Sequence, residues 1–220
     1  MTRSLGKRVY SGVVANLPWV VAFMAVARPI LTIPDPALWS FLAIALLSSV
    51  TLAVITDPQN LQVKQGQGQR TQIIVGLSLI ATNVSGAAEL ARIGPIMEFS
   101  PSVRWAGVGM VAAGYLLRIW AVRVNPFFSG LIAVQLQRNH SLVHRGPYQW
   151  MRHPGYAGLL PVFVGTPMVL SSMLALIPAL LGLGGVLYRT ATEDHFLHQN
   201  LEGYENYQAR VRFRLIPGLY

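Results

Sequence analysis

The chain has 220 residues, of which 53% are hydrophobic and only 11% charged, with a formal charge of +9 and no cysteine. A soluble domain carries about 25% charged residues, so a soluble globular protein is excluded, and without cysteine so are disulfides, thiolate metal sites and a cysteine nucleophile. Most of the basic residues fall in short segments between apolar runs, which is the pattern of membrane topology rather than of nucleic-acid binding.

The first apolar run, residues 9–31, follows a basic start (MTRSLGKRVY) as a secretory signal would. It is long for the hydrophobic part of a signal and lacks a small-residue cleavage site, so it reads as a retained first span, with Pro18 and Pro29 as expected kinks. Residues 38–56 hold 19 positions without one ionisable group, enough for a helix to cross a hydrocarbon core of roughly 30 Å. Further spans are expected at about 73–91 and 105–122. The fifth run, 156–187, is 32 residues long, too much for one span and short for two. Pro161, Pro167 and Pro178 interrupt it, and Ser171-Ser172 sit near its middle. A helical hairpin that folds back within the membrane fits, because lipid tolerates no unpaired backbone.

These elements predict an all-α, polytopic membrane protein of five to six membrane helices, including the C-terminal hairpin, with a cytosolic cap. Residues 1–124 are expected to form the N-terminal transmembrane helices and residues 125–220 the catalytic region. Arg3, Lys7 and Arg8 mark the start, Lys64 and Arg70 the loop at 57–72, and Arg123, Arg138, Arg145 and Arg152 the segment 123–155, while Arg210, Arg212 and Arg214 mark the tail. Alternation of spans puts all four segments on the cytoplasmic side, with only Arg92 and Arg104 dissenting. The protein is therefore expected to be integral to a membrane (the inner one in a prokaryote), with its polar cap of residues 123–155 and 188–220 in the cytoplasm.

The stretch GPYQWMRHPGYAG, residues 146–158, stands at the mouth of the fifth run. Gly146-Pro147 reads as a turn and Pro154 as the first residue of a helix, whose free N–H groups favour polar ligands. Two readings fit these residues. In one the stretch is a ligand cradle. In the other it is a membrane anchor, with Arg152 on lipid phosphate and Tyr148 and Trp150 in the interfacial belt.

The order of motifs in the C-terminal half resembles the isoprenylcysteine carboxyl methyltransferase family, which belongs with the phospholipid methyltransferases. The matching pieces are His140-Ser141-Leu142-Val143, Gly146-Pro147-Tyr148, Arg152-His153-Pro154-Gly155-Tyr156-Ala157-Gly158, the acidic pair Glu193-Asp194, and Tyr204, Tyr207, Arg210-Val211 and Arg214-Leu215-Ile216-Pro217-Gly218. Asn125, Phe127-Phe128-Ser129 and Gln135 resemble bacterial members. The resemblance implies methyl transfer from S-adenosyl-L-methionine in a pocket roofed by the tail. It implies a lipophilic acceptor entering from the bilayer and methylated on an isoprenylcysteine-type carboxylate, with N- or S-methylation of a phospholipid, amine or thiol as the alternative. Carried over residue by residue, Gln135, His140, Leu142, Val143, Gly146, Tyr148, His153, Tyr156 and Glu193 would line the cofactor, and Arg189 and Glu193 would be catalytic. The N-terminal half matches no pattern of the family, and substrate choice is expected there.

The physical chemistry of these residues agrees with methyl transfer. A carboxylate such as Glu193 and aromatic faces such as Tyr148 and Tyr204 suit a sulfonium cation, and an arginine suits a carboxylate acceptor. Arg189 and Glu193, four apart, have a structural pair as their lesser alternative. Arg118 and Glu89 are expected to snorkel from span ends, and Asn16 and Asn83 to bond between helices. His195 and His198 lack a second ligand cluster, so no metal is expected. Gly182, Gly184 and Gly185 read as close helix packing. The rival class, a transporter or subunit, would show internal repeats and midplane charges, and neither is seen.

Overall fold

A computed structural model describes residue 6 and residues 35–56, 68–129, 131–135 and 138–220. The expected first span at 9–31, with Asn16, lies outside the described residues. Among those described the secondary structure is helical, without a β-strand.

Helix α1 (Pro36–Ile55) starts where Asp35 caps it, accepting from the Leu38 amide at 3.1 Å, with Pro36 in the first turn. Helix α2 (Gln69–Ala88) continues into a π-turn, Glu89–Ile93. Helix α3 (Pro101–Val124) is capped by Ser100. Pro36–Ile55, Gln69–Ile93 and Pro101–Val124 are long and apolar enough to cross a membrane. The fifth apolar run divides into α4 (Pro154–Ala157), α5 (Leu159–Val169) and α6 (Leu176–Asn200), and the tail adds α7 (Tyr204–Arg210). An 11-residue helix rises only about 16 Å, so α5 is too short to cross alone. The chain reverses after it, and α6 packs back through Phe163, Ala179 and Val186. The hairpin expected from the prolines is present.

Glycine sets how closely α3 approaches α5. A Cβ on Gly114 would stand 2.4 Å from the Gly158 carbonyl, and one on Gly165 would stand 2.6 Å from the Gly107 carbonyl. Two glycines seven residues apart on each side thus let the two backbones touch, the small-residue device of membrane helices. Gly182 works similarly, since its Cβ would meet the Phe163 ring at 2.3 Å, whereas Gly184 faces open space.

Three sequence expectations are corrected. Glu89 does not snorkel. It is fully buried and caps the α5–α6 turn, accepting from Ser172 Oγ at 2.6 Å, Leu174 N at 2.8 Å and Ile96 N at 2.9 Å. The π-turn is where α2 brings this carboxylate to the reversal, whose amides would otherwise lack acceptors. Asn83 donates to the Leu79 carbonyl of its own helix at 2.8 Å and not across helices. Arg118 cannot snorkel because the glycine contact traps its stem: a Cβ on Gly158 would meet Arg118 Cγ at 2.7 Å. Its Nη1 donates to the Gly155 carbonyl at 3.3 Å, and its Nε is buried without a partner among the described residues. Arg104, the dissenter from the charge rule, is occupied by Asp35 at 2.5 Å and by the Val169 carbonyl at 2.9 Å.

Candidate active site

The sequence Arg152-His153-Pro154 joins the polar segment to α4. Pro154 opens that helix, and the tail grips the two residues before it. The Arg152 amide donates to the Phe213 carbonyl at 2.9 Å and the His153 amide to the Arg214 carbonyl at 2.8 Å. The Arg152 side chain then forks onto Asp194 of α6, Nε to Oδ1 at 2.7 Å and Nη2 to Oδ2 at 2.9 Å. Its Nη1 donates to the carbonyls of Val211 and Arg212, both at 2.8 Å. This places Arg152 in a protein interior, and the membrane-anchor reading fails for it. Trp150 remains exposed, edge-on to Trp120.

Asp194 collects further donors: the Tyr204 hydroxyl at 2.8 Å, Arg214 Nε at 3.0 Å and Gln208 Nε2 at 3.2 Å, with His153 Nε2 3.0 Å away. Burial alone would raise its pKa, but the contacts from His153 and Arg152 outweigh that and hold the carboxyl well below its ordinary range. Five side chains from three parts of the chain meet on one carboxylate, which draws α7 and the tail over α4.

Beneath this roof lies a cleft of about 750 Å³, counting the solvent-open space at its mouth. Of the expected cofactor residues, His140, Leu142, Val143, Tyr148, His153, Tyr156 and Glu193 line it. Gln135 and Gly146 do not. Gln135 is buried behind the wall, donating from Nε2 to the Phe127 carbonyl at 3.0 Å and accepting from Arg138 at 2.7 Å. Gly146 is a turn residue at φ +60°, packed against Val124 and Trp120. Arg189 is likewise no lining residue.

Three titratable groups of the cleft wall, His140, Tyr148 and Tyr204, are neutral near pH 7. His140 stacks on Phe127 at 4.2 Å and accepts the Gln135 amide on Nδ1 at 3.2 Å. Burial, helped by Arg138, pushes its pKa down to about 4, so the imidazole is neutral near pH 7. Burial pushes the Tyr148 and Tyr204 phenols up, Tyr204 further because of Asp194, so both stay neutral. Tyr148 accepts from Asn125 Nδ2 at 3.2 Å, and its carbonyl accepts the Tyr207 hydroxyl at 2.7 Å.

Arg189 and Glu193 meet through a third residue. Arg189 Nε donates to the Tyr156 hydroxyl at 2.7 Å, and that hydroxyl donates to Glu193 Oε2 at 2.5 Å. Arg189 Nη1 also donates to the Gly68 carbonyl and to Thr71 Oγ1 at the start of α2. A guanidinium 3% exposed thus sits where α2, α4 and α6 converge. Sequence reasoning missed the hub role of Asp194, since its partner Arg152 is 42 positions away and no local spacing joins them. The acidic pair itself was the available signal.

The match to known proteins is concentrated in this half. Residues 107–199 match the family model for isoprenylcysteine carboxyl methyltransferase. A probable protein-S-isoprenylcysteine O-methyltransferase of Oryza sativa subsp. japonica is 31% identical over 112 residues, which is 50% of this chain and 59% of that protein. Protein-S-isoprenylcysteine O-methyltransferase B of Arabidopsis thaliana is 34% identical over 108 residues, 48% of this chain and 55% of that one. The chain spans a little over half the length of these curated relatives. A solved structure of a eukaryotic intramembrane Ras methyltransferase, isoprenylcysteine carboxyl methyltransferase, aligns over 99% of each chain with a TM-score of 0.50 at 16% identity, so the fold is shared. The C-terminal region of the chain is thus similar to the isoprenylcysteine carboxyl methyltransferase family, over a stretch of less than half of its 220 residues.

Proposed function

We propose that the protein is an integral membrane methyltransferase that uses S-adenosyl-L-methionine to esterify the carboxylate of an isoprenylcysteine-type acceptor drawn from the bilayer. One observation carries this reading. The Tyr156 hydroxyl joins a carboxylate that lines the cleft, Glu193, to a buried cation beside it, Arg189.

The donor brings a methyl group already activated on a sulfonium. The cleft fits such a group chemically, since it offers one carboxylate, neutral phenols and the Phe127–His140 stack, and cations favour carboxylates and aromatic faces. His140, Leu142, Val143, Tyr148, His153 and Tyr156 would hold the donor with Glu193, while Gln135 would brace the Phe127 carbonyl behind it and Gly146 would shape the turn. A carboxylate acceptor is nucleophilic without a base. The work left for Arg189 is to fix it in line, and that of the roof is to exclude water. Residues 125–220 would thus form the catalytic region and the helices before residue 125 the acceptor's path. Two further spans, one within 9–31 and one in α6, would complete a bundle of five to six membrane helices, with the tail as a cytosolic cap.

Calorimetry of S-adenosyl-L-methionine and its demethylated product on purified protein in detergent tests the donor half. Radiolabelled methyl transfer to prenylcysteines, phospholipid amines and thiols tests the acceptor half. Micromolar binding and ester formation are expected. Folded protein that binds neither nucleoside is no methyltransferase, and label on an amine or thiol alone would replace the carboxylate.

A further inference from the structure

Residues 99–192 hold seven arginines and no acidic residue. Five of the seven are engaged inside the fold. Arg104 is held by Asp35 and the Val169 carbonyl, Arg118 donates to the Gly155 carbonyl and Arg138 to Gln135. Arg152 is forked onto Asp194, and Arg189 is bonded to Tyr156. Arg123 and Arg145 differ. Both are exposed, and neither has a hydrogen bond or an ion pair among the described residues.

These two stand beside one aromatic pair. Arg123 lies in the last turn of α3. Arg145 leads into the short turn Gly146–Gln149, which seats on that end of the helix. A Cβ on Gly146 would stand 3.2 Å from Trp120 Nε1 and 3.0 Å from Val124 Cγ2. Trp150 closes the turn and meets Trp120 edge-on, with ring centroids 5.5 Å apart. The two indoles are 43% and 52% exposed, so this corner shows aromatic surface and two guanidinium groups with no carboxylate near them in sequence. The same turn presents Tyr148 to the cleft.

The helix itself sets the depth of the patch. Trp105, near the other end of α3, is also exposed, and the span from it to Trp120 rises about 22 Å. That is most of a hydrocarbon core of roughly 30 Å, and exposed tryptophans at the two ends of a span sit at headgroup level. Arg123, three residues beyond Trp120, stands about 4–5 Å further out, at the level of lipid phosphate.

We infer that Trp120, Trp150, Arg123 and Arg145 form a binding surface for an anionic phospholipid, its phosphate on the two guanidinium groups and its glycerol end against the indoles. Charge complementarity and depth decide the occupant. Phosphate is the anion that the headgroup layer supplies, and a lipid of net negative charge lacks the ammonium that would offset it. The membrane anchor that the sequence offered to Arg152 thus falls to these two arginines. The surface stands apart from the methyl-transfer reading and is tested without it.

The full chain is reconstituted in phosphatidylcholine vesicles that contain increasing fractions of a lipid brominated near its glycerol end, either phosphatidylglycerol or phosphatidylcholine. Bromine quenches tryptophan on contact, so excess quenching by the anionic lipid reports its enrichment at the protein. One arginine near a charged surface is worth about a fivefold preference. Half-maximal quenching should therefore need about fivefold less phosphatidylglycerol than phosphatidylcholine, or less still if both arginines act together. The excess should shrink in 1 M salt, where the screening length falls to about 3 Å. Arg123→Gln combined with Arg145→Gln should abolish the excess and leave quenching by phosphatidylcholine unchanged, because both residues are exposed. Equal quenching by the two lipids in the wild type overturns the inference, and that comparison needs no variant. An excess that survives the double substitution, or one that persists when Trp120 and Trp150 are both replaced by Phe, places the lipid elsewhere and also overturns it. Reversal of the excess by millimolar glycerol phosphate would make this a site for a free phosphate and remove the lipid from it.

Discussion

Arg152 and Asp194 form a two-point ion pair, Nε–Oδ1 at 2.7 Å and Nη2–Oδ2 at 2.9 Å, with both side chains almost wholly buried. A buried pair is costly to create and costlier to break, since removing one partner strands the other. Here the pair also bonds two tail carbonyls, Val211 and Arg212, so it fastens the roof of the cleft to α6.

Asp194→Asn should therefore lower stability by about 3–5 kcal/mol, seen as a fall in the unfolding midpoint of protein in detergent. Arg152→Lys keeps the charge but loses the fork, and should recover only part of the loss. Arg212→Ala, exposed nearby, should stay within about 0.5 kcal/mol. A midpoint for Asp194→Asn equal to that of Arg212→Ala would mean that the roof is held by apolar contacts alone.

Much of this molecule was legible in the sequence because membrane helices are written in composition. Apolar runs gave α1, α2 and α3 to within a few residues, and three prolines with a Ser-Ser pair announced the hairpin. The motif order located most of the cleft lining. What stayed hidden depends on side chains meeting across the fold. Glu89 looked like a polar end of a span, but the π-turn carries it under the α5–α6 reversal. Arg118 had the right depth to snorkel, yet Gly114 and Gly158 bring α3 onto α5 and close that route. Gln135 and Gly146 carried the motif's signature but stand outside the cleft lining, Gln135 bonded to the Phe127 carbonyl and Gly146 in a turn at positive φ.

Tyr156→Phe removes one oxygen and separates Arg189 from Glu193 without altering volume. The two buried groups lose a shared hydrogen-bond partner, a loss of about 1–3 kcal/mol. On the proposed reaction this should reduce kcat about 10–100-fold for the same energy, with a smaller effect on donor affinity, because the Glu193 carboxyl itself is retained. Kinetics of methyl transfer beside calorimetry of the donor separate the two. An unchanged kcat would leave the hydroxyl as packing only.

Acid should weaken the fold in two windows. His140 has its pKa lowered from 6.5 to about 4, so between those values the unfolded chain binds the extra proton and stability falls as pH drops, by up to about 1.4 kcal/mol per pH unit. The depressed pKa of Asp194 contributes stability that is present above 3.8 and lost as pH falls below it. Unfolding midpoints across pH 3–7 for wild type and His140→Gln check this: the variant should flatten the upper window and keep the lower. A parallel curve for the variant would remove His140 as the cause.

The closeness of α3 and α5 can be tested by adding single carbons. At Gly114 a Cβ would stand 2.4 Å from the Gly158 carbonyl and 2.8 Å from Val162 Cγ2, whereas at Gly109, on the same helix, nothing lies within 4 Å. Backbone cannot yield as a flexible side chain can, so Gly114→Ala must push the helices apart, a cost of about 1–3 kcal/mol. Gly109→Ala meets no obstacle and gains helix propensity, and should stabilise by about 0.5–1 kcal/mol. The consequence reaches the site, because Gly158 follows Tyr156 by two residues and α3 holds Arg118 against the Gly155 carbonyl. Gly114→Ala should therefore also shift the Tyr156 hydroxyl from Arg189 and lower methyl transfer at a temperature where it remains folded, while Gly109→Ala keeps full turnover. Loss of stability with turnover intact would show that the α3–α5 contact supports the bundle without positioning the site.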